Sequence, residues 1–407
     1  MRLRDRGSSR GSKTKDDFLQ STTALRFAML WLVGACTRAT MLSLPPVIPF
    51  IHRDLDLSET AIGVLTSLPV LLLALGAVPG SLLVARTGLR RTLFLGLVMV
   101  TLFGAARGLG PSETTLFAST FLMGIGVAIL QPAVPALVKS WFPARIGIAT
   151  AIFTNGIIVG EIFGASFTVP LMRGSWELGL AIWSLVVLST ALLSQFLVEP
   201  VGAATPSNRL WWPNWRDKAM WDIGILLGCS SALYFGANAF VPDFLHAAGA
   251  DDDIGPCLTV LNVSQLIAFI PMFFGSASVV GRRLPLVVSG VVGLVAVAGI
   301  VSGLPVLVFP AAAAIGFCTA FLLALTLALP PLLAKPEDVP RLSAGIFALA
   351  YLLAVVLPIV GGAIWDLTGV KESAFAPYAV GSILVIVFAL LLDLRPHPDA
   401  DRWGDLP

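Results

Sequence analysis

Long apolar runs separated by short polar breaks extend along almost the whole sequence. A helix needs about 20 apolar residues to cross the hydrocarbon core of a bilayer, and runs of about that length recur along the chain. The pattern predicts an all-α membrane protein with twelve transmembrane helices. The predicted spans are residues 24–51, 58–85, 92–110, 114–141, 145–172, 175–198, 219–246, 254–280, 284–303, 306–333, 341–367 and 373–393.

The composition favours the same conclusion. Hydrophobic residues make up 57% of the 407 residues and charged residues only 12%, which leaves too little polar surface to cover a water-soluble protein of this size. The sequence contains no phosphate-binding Walker A motif, and no nucleophile lies beside a base. We therefore expect neither an ATP-driven pump nor an enzyme, and we predict no cofactor and no metal site.

A polar segment at residues 199–218 is the longest interruption after the N-terminal tail, and it divides the spans into two groups of six. Its tryptophans and cations favour the interface between membrane and water. The predicted organisation is a disordered cytoplasmic tail (1–20), a first six-helix bundle (21–198), a cytoplasmic interfacial linker (199–218), a second six-helix bundle (219–393) and a cytoplasmic tail (394–407).

The two groups of spans resemble each other at an offset of 195 to 196 residues. The segment GSLLVARTGLRR, from Gly80, aligns with GSASVVGRRLP, from Gly275, and the same offset pairs Pro135 with Pro330. Several matches in one register favour a duplicated six-helix unit.

Lysine and arginine are distributed unequally between the two faces of the predicted bundle. With the N-terminus inside, 21 of the 26 lie in cytoplasmic segments, four, including Arg107, lie in outer segments, and Arg38 lies within the membrane. Because positive residues accumulate on the cytoplasmic side, both termini are predicted to be cytoplasmic. The net charge of +2 therefore reflects membrane topology, and no nucleic-acid partner is expected.

A parallel repeat of six helices is the arrangement of major facilitator transporters, in which two halves rock about a site near the middle of the bilayer. GSLLVARTGLRR also resembles the superfamily's loop signature, Gly-x-x-x-Asp-Arg-x-Gly-Arg-Arg, with Ala85 in place of the aspartate. Its glycines are expected to let spans two and three turn sharply. The residues that fit this gating loop are Gly80, Arg86, Gly88, Arg90 and Arg91.

Within the superfamily, the sequence resembles the cyanate and nitroimidazole transporter branch. The resemblance rests on Arg38 with Pro45 and Pro46, on LTSLP at 65–69, PALVKSWFP at 135–143 and LALT at 323–326, and on RLSAG at 341–345 through Tyr351, Pro358 and DLTG at 366–369. It implies a monomeric secondary transporter in the lipid bilayer of a bacterial inner membrane, which moves a small anionic or polar solute by alternating access.

Arg38 lies in the middle of the first span, twelve residues after Arg26. At about 1.5 Å per residue it lies roughly 18 Å from the inner end, near the middle of a core about 30 Å thick. A charge there costs at least about 2.5 to 3.5 kcal/mol, so we expect it to face a wet cavity or a partner. Two interpretations are open: Arg38 binds an anionic group of the solute, or it forms a permanent buried ion pair.

Glu161 lies far from the ends of the fifth span and is the natural partner of Arg38. One interpretation is that Glu161 carries a proton, because burial favours the neutral form of a carboxyl group. The other is a fixed counter-ion to Arg38 or Arg107. The cyanate branch usually has a small residue at this position, so Glu161 is a departure from the resemblance.

The repeat places further polar residues at matching depths, and they complete the candidate substrate site: Gln131, Asn155, Tyr234, Asn238, Thr326 and Tyr351. Tyr234 corresponds to Arg38, and Asn238, four residues later, shares its helix face. As a set these residues fit a mostly apolar pocket with a few polar groups. Singly, each also fits an ordinary hydrogen bond between helices.

The sequence thus favours a transporter of a small anion or polar solute, such as cyanate, nitrate, a small carboxylate or a nitroimidazole, with the proton as the candidate coupling ion. The rival hypothesis is an exporter of a cationic or neutral drug-like solute, in which Glu161 holds the solute instead of Arg38. A membrane sensor on the same fold is a third hypothesis. Such a sensor is expected to carry a signalling extension, whereas the tails at 1–20 and 394–407 are short.

Overall fold

A computed structural model of the protein describes residues 8–143, 145–198, 213–268, 270, 281–335 and 338–394. Every regular element in these ranges is a helix, as the apolar pattern predicts. Eleven of the described helical segments are long and apolar enough to cross a membrane. The remaining predicted span, 254–280, is a helix over Ile254–Ala268, and residues 271–280 lie outside the described ranges. Most of the predicted linker and of the C-terminal tail also lies outside them.

We number the helices in chain order. The first half contains α1 (Ser8–Leu42), α2 (Ile48–Leu55), α3 (Glu59–Thr87), α4 (Leu89–Ala106), α5 (Glu113–Trp141), α6 (Ile146–Leu171), α7 (Trp176–Ala181) and α8 (Trp183–Leu197). The second half contains α9 (Lys218–His246), α10 (Ile254–Ala268), α11 (Arg283–Val301), α12 (Pro305–Leu327), α13 (Pro330–Leu333), α14 (Val339–Thr368) and α15 (Ala376–Leu391). The end of the bundle that carries Gly88 and Asp217 is called the linker face, and the end that carries Glu59 and Thr368 is called the opposite face.

The first helix begins earlier than expected. The sequence predicts a disordered tail at residues 1–20, but residues 8–20 belong to α1 in the structure. Residues 12–24 contain neither glycine nor proline, so nothing in this stretch ends the helix.

The helices of the two halves pack in the same pattern. In the first half α1 packs against α6 and α8, and in the second half α9 packs against α14 and α15. Likewise α4 packs against α5 and α8, as α11 packs against α12 and α15. Between the halves, α3 packs against α14 and α6 packs against α10. This arrangement is what a duplicated six-helix unit requires.

The ends of the helices follow the local sequence. The side chains of Ser58, Ser112 and Asp217 each accept a hydrogen bond from a backbone N–H in the first turn of α3, α5 and α9, which is the usual N-terminal cap. Pro45 and Pro46 have no N–H to donate, so α1 ends before them. A short 3-10 turn then leads into α2.

The turn between α3 and α4 depends on one glycine. Gly88 is the single residue between the two helices and has a φ of 82°, a conformation that favours glycine. The prediction that Gly80 also takes part in this turn is wrong, because Gly80 lies within α3. A Cβ at Gly80 would lie 2.8 Å from Pro132 Cγ, so this glycine lets α3 approach α5.

Glycines also bring α1 and α6 into backbone contact. A Cβ at Gly156 would lie 2.2 Å from the carbonyl oxygen of Trp31, and a Cβ at Gly160 would lie 2.3 Å from that of Ala35. Close contact through small residues is typical of helix pairs in membranes, where van der Waals packing drives association. The contact fixes the position of α6 along α1.

Gly160→Ala should destabilise the protein, because the added Cβ meets backbone atoms of α1 that move only if the two helices separate. Overpacking of this kind costs about 1 to 3 kcal/mol, and thermal unfolding of the purified protein in detergent measures it as a lower Tm. Gly255→Ala is the matched control, since Gly255 is also helical and a Cβ there meets nothing within 4 Å. Equal Tm values for the two variants would contradict the backbone contact.

Candidate functional site between the two halves

Arg38 and Glu161 meet where α1 packs against α6. Ala35 of α1 touches Gly160 of α6. Arg38 lies about one turn after Ala35, and Glu161 directly follows Gly160, so the guanidinium of Arg38 lies near the carboxylate of Glu161. The Nε atom of Arg38 is 3.7 Å from Glu161 Oε1, a distance that allows an ion pair but exceeds that of a hydrogen bond. The Nη1 atom of Arg38 is buried and has no hydrogen-bond partner among the described residues. The guanidinium therefore keeps an unused donor.

Side chains of the second half surround Glu161. Its Oε2 accepts a hydrogen bond from Gln265 Nε2 at 3.0 Å, and the same nitrogen lies 3.2 Å from both the Tyr234 hydroxyl and Asn262 Oδ1. Tyr234 donates to Asn262 Oδ1 at 2.6 Å, and Asn262 donates to Asn238 Oδ1 at 3.3 Å. This hydrogen-bond network links α6 of the first half to α9 and α10 of the second.

Gln131 lies beside the same cavity as Arg38. The cavity is narrow and is lined by residues of α1, α5 and α6, among them Thr37, Leu130 and Phe153. Its walls are mostly apolar, and Gln131 and Arg38 supply polar groups. Such a lining is typical of a small-solute site.

The other three predicted site residues have different contacts. Asn155 accepts a hydrogen bond from Trp31 Nε1 at 2.9 Å, and the Thr326 hydroxyl donates to carbonyl groups of its own helix. Tyr351 is half-buried and stacks on Phe347, with 5.9 Å between the ring centroids. Within the described ranges, none of the three belongs to the hydrogen-bond network around Glu161.

Two residues of the network, Asn262 and Gln265, are not singled out by sequence reasoning. A signal exists, because they are polar residues three apart in an apolar stretch and therefore share one face of α10. The internal repeat does not find them, since the residues 195 positions earlier are Ser67 and Val70, which do not form a matching polar pair.

Arg107 lies in a different environment from the one expected. The residue directly follows α4, yet its side chain is only 1% exposed. Its Nη2 donates to the carbonyl oxygen of Thr40 at 3.0 Å. Arg107 directly follows α4 and precedes a polar turn, so the sequence pattern assigns it to the loop although its side chain points back into the bundle. Of the two arginines offered as partners of Glu161, the structure pairs the carboxylate with Arg38.

Comparison with known sequences identifies the family. A sequence model described as the Major Facilitator Superfamily matches residues 30–301. The chain belongs to the major facilitator superfamily. It is therefore an integral membrane transporter and not an enzyme.

Individual members of the superfamily show the same relationship. The cyanate transport protein CynX of Escherichia coli is 26% identical over 371 residues, which cover 88% of this chain and 95% of that protein. The uncharacterized transporter YycB of Bacillus subtilis is 30% identical over 53% of this chain and 54% of its own length. The 2-nitroimidazole transporter of Escherichia coli is 26% identical over 54% of this chain and 58% of its own length. The alignments with the last two thus span little more than half of each relative.

Solved structures of superfamily members share the fold. The nucleoside transporter NupG matches with a TM-score of 0.75 over 91% of this chain and 98% of that one, at 13% identity. A bacterial homologue of the human lysosomal transporter Spinster matches with a TM-score of 0.72 over 92% of this chain and 96% of that one, at 14% identity. At these identities the match shows the fold alone.

The loop signature of the superfamily lies at the linker face. Arg90, in the first turn of α4, donates from Nη2 to the carbonyl oxygen of Gln195 at 2.5 Å, and its Nε lies 3.3 Å from the Gln195 side-chain oxygen. Arg86 and Arg91 are exposed. In this superfamily member, Arg90 therefore ties the start of α4 to the end of α8.

The two halves are joined at the opposite face. Asp366, near the end of α14, accepts hydrogen bonds from the backbone N–H groups of Glu59 at 2.9 Å and Thr60 at 2.8 Å, and from the Thr60 hydroxyl. A carboxylate at the N-terminus of a helix is also stabilised by the helix dipole. Nearby, His52 Nδ1 lies 3.1 Å from Asp243 Oδ2. These contacts hold the first half of this superfamily member to the second.

His52, Glu59 and Asp243 place one imidazole nitrogen and two carboxylate oxygens within 4.8 Å of one another. Divalent metal ions accept such donors, whereas the sequence predicts no metal site. We interpret the group as an ionic contact between the halves, because His52 and Asp243 already face each other across them.

Asp366→Asn should open the opposite face more often. The amide oxygen of the asparagine still accepts hydrogen bonds but lacks the charge that strengthens them. If the contact between the halves weakens by about 1.4 kcal/mol, the equilibrium between the closed and the open face shifts tenfold towards the open one. Maleimide labelling of Leu44→Cys reports the opening, since Leu44 is buried in a cavity between the halves and the four native cysteines are buried. We expect the labelling rate to rise about tenfold with Asp366→Asn.

Asp54→Asn is the matched control for this measurement. Asp54 lies at the same face, but it accepts hydrogen bonds from Trp176 and Arg53, which both belong to the first half. An unchanged labelling rate for Asp366→Asn, or an equal rise for Asp54→Asn, contradicts the assigned role of Asp366.

Proposed function

We propose that the protein is a secondary active transporter that binds a small anionic or polar solute at Arg38 and moves it by alternating access. The observation that carries the proposal is the guanidinium of Arg38. It lies within the membrane-spanning bundle beside a small cavity, and its buried Nη1 has no hydrogen-bond partner among the described residues. A buried charge is stable only when it is paired and hydrogen-bonded.

The length of the Arg38–Glu161 contact supports an exchangeable partner. At 3.7 Å the pair lacks a direct hydrogen bond between Nε and the carboxylate. Charge-assisted hydrogen bonds between a guanidinium and an anion are about 2.7 to 2.9 Å long, so a bound anion would make a closer contact with Arg38 than Glu161 does. Gln131 lies on the same cavity, and Tyr234 and Asn238 lie in the adjoining hydrogen-bond network. We assign these residues the task of shaping the pocket.

The substrates for which related proteins are named fit this chemistry. They are cyanate for CynX, 2-nitroimidazole for a second Escherichia coli protein and nitrate for a probable transporter of Staphylococcus epidermidis, which is 29% identical over 37% of this chain. Each is a small molecule whose oxygen atoms carry full or partial negative charge. A guanidinium recognises such oxygens through its planar set of N–H donors.

Proton coupling completes the proposed cycle. An anion that enters competes with Glu161 for Arg38, and protonation of Glu161 removes the surplus negative charge. We further propose that the linker face is cytoplasmic, because most lysines and arginines lie there. The location would then be a bacterial inner membrane, and each monomer holds a complete site between its own halves.

A cation or neutral-drug exporter is less well supported by the contacts. In such a protein Glu161 would hold the solute, yet both of its oxygens already face partners, Arg38 and Gln265. A cationic solute would have to displace both and leave Arg38 without its ion pair, which is destabilising for a buried charge.

Thermal-shift titration of the purified protein tests the proposal. The probes are sodium nitrate, cyanate, formate and acetate, compared with sodium gluconate, a much larger anion, at equal ionic strength. A ligand at about 100 times its Kd stabilises the folded protein by roughly 2.7 kcal/mol, so at least one small anion should raise the Tm well above the gluconate control. Ethidium serves as the cationic probe for the rival hypothesis. A shift with ethidium and with none of the anions contradicts anion transport.

A further inference from the structure

A second buried arginine lacks a counter-ion. Arg107 is among the largest fully buried side chains, and no acidic residue in the described ranges forms an ion pair with it. Its Nη2 donates to the Thr40 carbonyl, but its Nε is buried without a hydrogen-bond partner among the described residues. Glu161 can offset only one positive charge, and it faces Arg38.

The local sequence explains part of this arrangement. Because α1 ends at Leu42, the N–H of Leu44 bonds to the Met41 carbonyl and not to that of Thr40. The Thr40 carbonyl accepts instead from the Ser43 hydroxyl and from Arg107. The C-terminus of a helix carries a partial negative charge of roughly half an electron, which stabilises a cation there. The Nε donor is buried and has no acceptor among the described residues. Capping of α1 therefore satisfies only part of the guanidinium.

Arg107 borders a cavity between the two halves. The cavity is narrow and is lined by residues of both halves, including Arg107, Thr66, Thr120, Phe235 and Asn238. Thr120 is 1% exposed, and its hydroxyl has no hydrogen-bond partner among the described residues. Two buried donors, one charged and one neutral, therefore line the same space without an acceptor.

We infer that Arg107 and Thr120 form a second subsite for a small anion, on the side of Arg38 that leads to the opposite face. The Nε of Arg107 and the hydroxyl of Thr120 would donate to the anion, which supplies the missing negative charge. Asn238 lines this cavity and also accepts a hydrogen bond from Asn262 in the network around Glu161. The subsite thus adjoins the Arg38 site, and the inference rests on the proposed function in taking the ligand to be the transported anion.

Anomalous diffraction with bromide tests the subsite directly. Crystals of the full chain, grown without chloride and equilibrated in sodium bromide, should show a bromide peak within about 3.5 Å of the Arg107 guanidinium, and excess nitrate should displace it. Because Arg38 and Arg107 line different cavities, each peak is read separately. A peak at Arg38 but not at Arg107 overturns the second subsite and leaves the proposed function intact. A peak at Arg107 but not at Arg38 supports the subsite and contradicts the proposed function, and no peak at either contradicts both.

Variants distinguish a specific anion site at Arg107 from adventitious binding of an ion. Arg107→Gln also removes the cap of α1, so Thr120→Val is the decisive change. It deletes a buried hydroxyl that has no hydrogen-bond partner among the described residues, so the fold should stay intact. Ser184→Ala is the matched control, because the Ser184 hydroxyl is also buried without a described partner but does not line this cavity.

The bromide occupancy at Arg107 should fall at least twofold in Thr120→Val and stay unchanged in Ser184→Ala. An equal occupancy in the wild type and in Thr120→Val means an adventitious ion only, and this result overturns the inference.

Discussion

Arg38→Gln should abolish anion binding while the protein still folds. Removing one partner of a buried charge pair typically costs 2 to 5 kcal/mol of binding energy, which corresponds to a loss of affinity of about 30-fold to several thousand-fold. The measurement is the thermal-shift titration with the anion that stabilises the wild type. Arg38→Lys should recover only part of the affinity, because an ammonium group lacks the planar fork of a guanidinium.

Two further variants separate binding from folding in this prediction. Arg53→Gln is the matched surface control, since the Arg53 side chain is 70% exposed, and it should bind the anion like the wild type. Arg38→Gln leaves Glu161 as an unpaired buried carboxylate, which lowers stability. The double variant with Glu161→Gln should therefore regain stability without regaining binding. Unchanged affinity in a folded Arg38→Gln protein would show that Arg38 is structural.

Glu161→Gln should separate solute binding from solute accumulation. The change removes the carboxylate that competes for Arg38, so the anion should bind more tightly, by about tenfold if the competition is worth about 1.4 kcal/mol. The same change removes the proton carrier. In proteoliposomes, uptake driven by an inward pH gradient should therefore stop, while exchange of labelled for unlabelled solute continues.

The alternative for Glu161 is a fixed counter-ion, and it makes a different prediction. A permanent ion pair requires the negative charge throughout the cycle, so Glu161→Gln should weaken exchange as well as accumulation. Glu177→Gln is the control, because the Glu177 carboxylate accepts a hydrogen bond from Ser175 near the opposite face and plays no part in the Arg38 site. Continued accumulation of solute by Glu161→Gln under a pH gradient refutes proton carriage by this residue.

The sequence predicts the helices well because membrane spans depend on apolar length, which is a local property. The family comparison confirms the superfamily, and the all-helical architecture agrees with the prediction. Arg38 and Glu161 are also accessible to sequence reasoning, since a charge deep in a span is rare and requires a partner. Their pairing appears in the structure at 3.7 Å.

The remaining parts of the site depend on tertiary packing. Asn262 and Gln265 reach Glu161 only because α10 of the second half packs against α6 of the first, and no repeat of the sequence encodes that contact. Arg107 differs for another reason. Its position at the end of α4 indicates a surface loop, and the carbonyl that its side chain reaches, Thr40, lies in the last turn of a distant helix, α1.

The glycine contact between α1 and α6 has a mechanical consequence. Because Gly156 and Gly160 leave no space between the two backbones, we expect the helices that carry Arg38 and Glu161 to move together. Gln265 lies in the other half, so the proposed rocking of the halves would change the distance from Gln265 to Glu161 and leave Arg38 in place. Under that proposal, the movement of the second half would determine when the Glu161 carboxylate has the Gln265 donor and when it does not.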